Sequence, residues 1–169
     1  MKIFLIGFMG SGKSTIGRKL ANYLHYDFVD LDKLIENKAG MKIADYFEKN
    51  GEESFRELER DTLQQMVFND NSVIATGGGV PCYFDNMDWM YKEGKVVYLS
   101  MDPKALADRL KHSKVSRPLI KDLNQDQLIE FITQKLKSRD VFYQKAHCIV
   151  SGLDLTAEKL ASYLELRLK

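Results

Sequence analysis

"KIFLIGFMGSGKST", residues 2–15, sets an apolar run against a glycine-rich turn that closes on a lysine and two hydroxyl residues. "KIFLIG" (2–7) reads as a buried strand, and a helix is expected from about Lys13 to Leu24. Between them Gly7, Gly12, Lys13 and Ser14 satisfy G-x-x-x-x-G-K-[ST] in the context that motif requires. Its physical demand is that backbone N–H groups point inward at phosphate oxygens, which needs positive φ and no Cβ in the way. The helix adds the positive end of its dipole. Lys13 then supplies a cation for β- and γ-phosphates, and the Ser14 hydroxyl can ligate Mg²⁺. A glycine-rich turn with a chance lysine is the bland alternative, and the flanking strand and helix argue against it. The stretch points to binding of a nucleoside triphosphate.

Outward from it the chain alternates short apolar strands with longer helices. "YDFVDLD" (26–32) reads as a second strand, followed by helical stretches from 33 to 69 broken near Gly40 and Gly51. "SVIATGGGV" (72–80) is a third strand running into glycines, and "KVVYLS" (95–100) a fourth, followed by a helix opening at Asp102-Pro103. "HCIVS" (147–151) is a fifth strand, before an amphipathic helix in "TAEKLASYLELRL". Strands separated by helices imply an α/β fold whose parallel sheet is covered on both faces. Ligands of such sheets bind at the carboxyl ends of the strands, so chemistry is expected after residues 7, 30, 76 and 100.

A chain of 169 residues suits one domain with a real core. Its balance of 25 basic against 24 acidic residues argues against a general nucleic-acid surface. Apolar runs such as Ile3–Gly7 are too short to cross a bilayer, and "MKIFLIG" runs into glycines and lysine where a signal peptide would continue. Cys82 and Cys148 lack CxxC spacing and read as reduced cysteines of a cytoplasmic protein. The guanine-reading N-K-x-D motif is missing, since Asn37-Lys38-Ala39 ends on Gly40, and protein-kinase motifs are absent too. What remains is a small-molecule kinase.

Four further groups carry chemistry. In "FVDLD" (28–32) Asp30 and Asp32 would share one face at a strand tip. Asp30 could hold water on Mg²⁺ and Asp32 could take a proton from a substrate hydroxyl, or Asp32 could cap a helix starting at Lys33. Gly77, Gly78 and Gly79 offer bare backbone to a ligand, or form a flexible turn. In "SFRELERD" (54–61) a buried stripe is expected through Phe55, Leu58, Thr62, Met66 and Val67. Arg56 lies just off that stripe, free to reach a cavity edge or to pair on the surface with Glu52 or Glu59. Arg139, in "KSRDVFY", has similar local alternatives.

The ordered set "GFMGSGKST", "DLD", "FRELE", "TGGG", "RPL" and an arginine four residues before a tyrosine resembles the shikimate kinases, over Met1 to about Val150. The resemblance implies a P-loop, nucleoside-monophosphate-kinase-like fold with a five-stranded parallel sheet in the order 2-3-1-4-5. It implies transfer of the γ-phosphoryl group of ATP to the 3-hydroxyl of shikimate, on the route to chorismate and the aromatic amino acids. By that likeness Gly10, Ser11, Gly12, Lys13, Ser14 and Thr15 hold ATP, with Ser14 and Asp30 serving Mg²⁺. Arg56 and Arg139 clamp the shikimate carboxylate, Asp32 binds ring hydroxyls and orients the nucleophile, and Gly77, Gly78 and Gly79 face the substrate. The substrate-binding region would span about 32–61 and a mobile lid about 112–124, whose Arg117 reaches the ATP phosphates when the lid closes. Arg109 matches a residue lying over the adenine, or is an exposed helix-end arginine. Val141 replaces a proline frequent in the family, and His147 an alanine; a strand-end histidine in a polar network is expected there. A monomer without nucleic acid or membrane partners is expected. The rivals are another small-metabolite kinase, such as one for gluconate, a nucleoside monophosphate kinase, and a nucleotide-binding regulatory module without catalysis.

Overall fold

The computed structural model describes residues 1–113, 120 and 122–165. Strand β1 (Lys2–Ile6) lies at the centre of a five-stranded parallel sheet, paired on one side with β3 (Ser72–Ala75) and on the other with β4 (Gly94–Ser100). Strands β2 (Asp27–Asp30) and β5 (Cys148–Ser151) form its edges, and the order is β2-β3-β1-β4-β5.

Alternate residues of each strand feed opposite layers, as the pleat requires. Ile3, Leu5, Val73, Val97 and Leu99 pack against α1 (Lys13–Leu24) and α7 (Ala157–Tyr163) through Ile16, Leu20 and Leu160. Phe4, Ile6, Ile74, Val96 and Tyr98 face the other layer. That layer holds α2 (Leu31–Ala39), α3 (Ile43–Gln65), α4 (Asn86–Glu93) and the end of α6 (Gln125–Tyr143). A third apolar cluster joins Phe8 of the phosphate loop to α5 (Pro103–Lys111) and α6 through Leu106, Leu110, Leu128 and Ile132. No helix among the described residues is long and apolar enough to cross a membrane.

The expected breaks are real. Gly40 ends α2 at φ 68° and Gly51 interrupts α3 at φ 80°, ψ 173°. Three expectations need correction. The second strand ends at Asp30, and Asp32 sits in the first turn of α2 rather than on a strand tip. The reason is local: the Asp30 carboxylate accepts the Lys33 N–H at 3.4 Å, so Asp30 performs the capping considered for Asp32. The stripe on α3 also differs. The helix stops at Gln65, which leaves Met66 and Val67 41% and 91% exposed, while Glu59 and Leu63 turn inward. The third strand is shorter than expected: Thr76 closes the ladder, its backbone N–H donating to Leu5 O at 3.1 Å, and Gly77–Gly79 then turn into a short 3₁₀ segment, Val80–Cys82.

Two helices stand outside the sequence pattern. Helix α4 carries only Asn86, Met87 and Met90 fully inward. Helix α6 is capped by a reciprocal Asn124–Gln127 box, and of its 19 residues Leu128, Ile132 and Tyr143 are buried. Such sparse apolar positions make no clear stripe. His147 lies just before β5; its Nδ1 accepts the Val96 N–H at 3.1 Å and its ring stacks on Tyr91, an aromatic contact where a polar network is expected. Arg117 and most of the expected lid lie outside the described residues, as do residues 166–169.

Close helix–sheet packing behind the phosphate loop depends on Gly17. A Cβ there would stand 2.7 Å from the Phe28 ring and 3.1 Å from a Leu5 methyl. Alanine is the better helix former by about 1 kcal/mol, but overpacking a filled site costs about 1–3 kcal/mol. Gly17→Ala is therefore expected to lower the melting temperature, by as much as about 8 °C. An unchanged or raised value in a thermal melt would refute that tight contact.

Candidate active site

Three segments meet at the carboxyl end of β1: the loop from Gly7 to Gly12, the glycine turn after β3, and the start of α2. Gly7, Gly10 and Gly12 have φ of 142°, 83° and 96°, values that L side chains rarely tolerate. This lets the backbone curl around the Lys13 ammonium, which donates to the carbonyls of Gly7 and Phe8 at 2.8 and 2.9 Å. Helix α1 starts at Gly12 without a side-chain cap, so its first-turn N–H groups face the loop. The Ser11 hydroxyl is buried with no hydrogen-bond partner among the described residues. An anion seated in the cradle would satisfy it. Ser14 Oγ donates to Asp30 Oδ2 at 2.9 Å, which couples the loop to β2.

Beside this cradle is a cleft of about 320 Å³, lined by Gly12, Thr15, Leu99, Arg109, Gly152 and Asp154 among others. Arg109 is exposed, yet it is not a loose helix-end charge. Its Nη1 donates to Ser11 O at 3.3 Å and its Nη2 to Gly152 O at 3.2 Å, tying the phosphate loop to the turn after β5.

Two arginines converge on the glycine turn. A Cβ on Gly78 would lie 3.2 Å from Arg139 Nη1 and 3.3 Å from Gly7 O. One on Gly79 would collide with the Arg56 guanidinium, and one on Gly77 would lie 2.9 Å from Asp32 Oδ1. The turn thus brings Arg56, Arg139, Asp32 and the phosphate loop together across bare backbone. Tyr143 holds it in place, donating to Gly78 O at 2.6 Å, while Arg139 lies over the Phe8 ring at 5.4 Å.

Arg56 makes both local pairs considered for it. Nη1 meets Glu59 at 3.1 Å and Nη2 meets Glu52 at 3.2 Å, yet only 12% of its side chain is exposed. The pairing is therefore part of the pocket rather than an alternative to it. Burial pushes the Glu59 carboxyl up to about 7, although Arg56 opposes the shift; the nearby Asp32 adds to it and Arg139 works against it. Burial also raises the Cys82 thiol, to about 11, which makes it a poor nucleophile. Glu59, Tyr83, Tyr143 and Phe8 were not picked out as site residues from the sequence. Glu59 stood at i+3 from Arg56, but nothing local marked it as buried. No signal distinguishes Tyr83 or Phe8 from ordinary core or loop aromatics.

A parallel sheet of this order, with a phosphate loop after its central strand, is the framework of a P-loop kinase. The family model for shikimate kinase matches residues 9–169. A shikimate kinase of Bacteroides fragilis is 44% identical over 149 residues, covering 88% of this chain and 83% of that protein. The crystal structure of shikimate kinase from Bacteroides thetaiotaomicron superposes with a TM-score of 0.92 at 38% identity, over 98% of this chain and 99% of the other. That of Acinetobacter baumannii, in complex with shikimate, gives 0.83 at 36% identity, over 97% and 90%. The chain belongs to the shikimate kinase family.

The raised Glu59 carboxyl links proton binding to folding. Between about pH 4.5 and 7 the native state keeps a proton on Glu59 that the unfolded chain has lost, so stability falls as pH rises through that window and levels off above it. Relative to Glu59→Gln, the wild type should lose at most about 3 kcal/mol between pH 4.5 and 8. Denaturant unfolding of both proteins across that range checks it; parallel curves would contradict the assignment.

Proposed function

We propose that this chain transfers the γ-phosphoryl group of ATP to the 3-hydroxyl of shikimate, giving shikimate 3-phosphate and ADP on the route to chorismate. The observation that carries the reading is the approach of Arg56 and Arg139 to one glycine turn packed against the phosphate loop. That arrangement suits a small acceptor with one carboxylate beside the transferring phosphate. Phosphoryl transfer asks for positioning and charge stabilisation more than covalent chemistry. The Gly10–Thr15 amides and Lys13 hold the β- and γ-phosphates, and the adenine lies in the cleft by Arg109. Arg56 and Arg139 grip the carboxylate. Asp32, beside Gly77 and Glu59, orients the attacking hydroxyl and receives its proton. Arg117, in a lid of about 112–124, meets the phosphates as the site closes; the substrate-binding region is 32–61 of one kinase domain.

Mg²⁺ fits the donor set. Ser14 Oγ and Asp30 Oδ2 are hard oxygens 2.9 Å apart beside the cradle. An ion held by Ser14 and Asp30 would neutralise charge on the transferring phosphates. The free Cys82 and Cys148 support a cytoplasmic enzyme, the near-neutral charge supports action on small molecules rather than nucleic acid, and we take it to act as a monomer.

An ADP-release assay with Mg·ATP tests the reading against shikimate, quinate, gluconate and nucleoside monophosphates in parallel. Turnover with shikimate alone is expected; turnover with another acceptor would overturn the substrate. No turnover with intact ATP binding would favour a regulatory module. Lys13→Met should lower turnover at least about a hundredfold in a folded protein. Arg56→Ala should raise the KM for shikimate roughly ten- to hundredfold with the KM for ATP nearly unchanged. Equal loss of both affinities would assign Arg56 a structural role instead.

A further inference from the structure

The Arg56 fork is already occupied. Its Nε and Nη2 form one of the two edges on which a guanidinium accepts a carboxylate with two parallel hydrogen bonds. Here both donate to a single oxygen, Glu52 Oε1, at 3.4 and 3.2 Å. The Tyr83 hydroxyl donates to that same oxygen at 2.8 Å, and the Tyr83 ring covers the guanidinium with its centroid 4.1 Å from Cζ. The Tyr83 hydrogen bond, helped by Arg56, keeps the Glu52 carboxyl below its ordinary value, so the group on the fork is an anion.

The two acidic partners of Arg56 differ in freedom. The Glu59 side chain is 2% exposed and locked in the helix interior, whereas that of Glu52 is 54% exposed. Glu52 also follows directly on Gly51, whose non-helical backbone interrupts α3, so it can leave without unpacking the core.

We propose that Glu52, seated by Tyr83, is an internal competitor for the carboxylate subsite, which a substrate carboxylate displaces from the Arg56 fork. The inference rests on the assignment of Arg56 to the shikimate carboxylate. Glu52 and Tyr83 thereby tune affinity: an acceptor without a carboxylate gains nothing at the fork, and any anion that enters it must first compete with Glu52.

The test is calorimetric titration of shikimate, with steady-state KM values, for wild type, Glu52→Gln, Tyr83→Phe and the double variant. Glutamine keeps the shape and a hydrogen-bond acceptor but removes the competing charge. Glu52→Gln should tighten shikimate about two- to fivefold, the range of an exposed ion pair, with the KM for ATP unmoved. Tyr83→Phe keeps the ring over Arg56 and should shift affinity the same way by less. In the double variant it should add nothing, because its effect runs through Glu52. Added salt should shrink the difference between Glu52→Gln and wild type. If Glu52 instead merely braces Arg56, Glu52→Gln weakens shikimate binding; weaker or unchanged binding overturns the competition. Unchanged shikimate affinity in Arg56→Ala would overturn the Arg56 assignment itself. Lost affinity in Arg56→Ala without a gain in Glu52→Gln overturns the competition alone.

Discussion

The rest of the structure hangs on β1, a strand hydrogen-bonded on both sides and buried on both faces. With Ile3 through Ile6 fully buried, neither edge nor face of the strand is free. The chain leaving it must therefore emerge at the carboxyl end and turn back over the sheet. The Lys13 ammonium stabilises that reversal by drawing the Gly7 and Phe8 carbonyls toward itself. Because β3 and β4 flank β1, their outgoing turns open beside the phosphate loop. One buried strand thus sets where the triphosphate, the glycine turn and the cleft by Arg109 lie.

On the acceptor side electrostatics dominates. Two arginines and three carboxylates, Glu52, Glu59 and Asp32, crowd around one glycine turn. An unpartnered buried guanidinium would be strongly destabilising, and Glu59 prevents that at the expense of its own solvation. The consequence is a carboxyl that titrates near neutrality inside the pocket. Glu52 supplies the second counter-charge at the pocket mouth, where water moderates its strength. A deep, fixed partner and an exposed, exchangeable one suit an arginine that must remain charged when empty and still accept an incoming anion.

Read from sequence, the strand–loop–helix unit was legible because everything it needs is local. Its glycines, lysine and serine lie within eight residues, Gly7 to Ser14, and the physical demand on each is independent of the remaining fold. Most of the alternation of strands and helices was legible for the same reason, as were the breaks at Gly40 and Gly51, but α4 and α6 were not, because their few buried residues make no stripe. The strand order followed from likeness to a family, since local pattern says nothing about which strand neighbours which. Asp32 was misplaced by one element because alternation along "FVDLD" competes with capping at Asp30, and only backbone geometry decides between them. The α3 stripe went wrong at Met66 and Val67 because a helix end is a tertiary decision: Phe68, not they, turns into the core.

By itself, then, the sequence determined an α/β protein with a phosphate cradle at Gly7–Ser14 and a set of candidate residues, Asp30, Asp32, Arg56, Gly77–Gly79 and Arg139. Only the tertiary structure decided that Arg56 and Arg139, 83 positions apart in the chain, approach the same turn. It alone decided that Glu59 is buried, that Tyr83 covers the Arg56 fork, and that Arg109 ties two loops together. The reason is physical. Backbone conformation and phosphate binding answer to neighbours within a turn or two, whereas burial and the charge state of a carboxyl depend on groups brought close only by the packed sheet and helices.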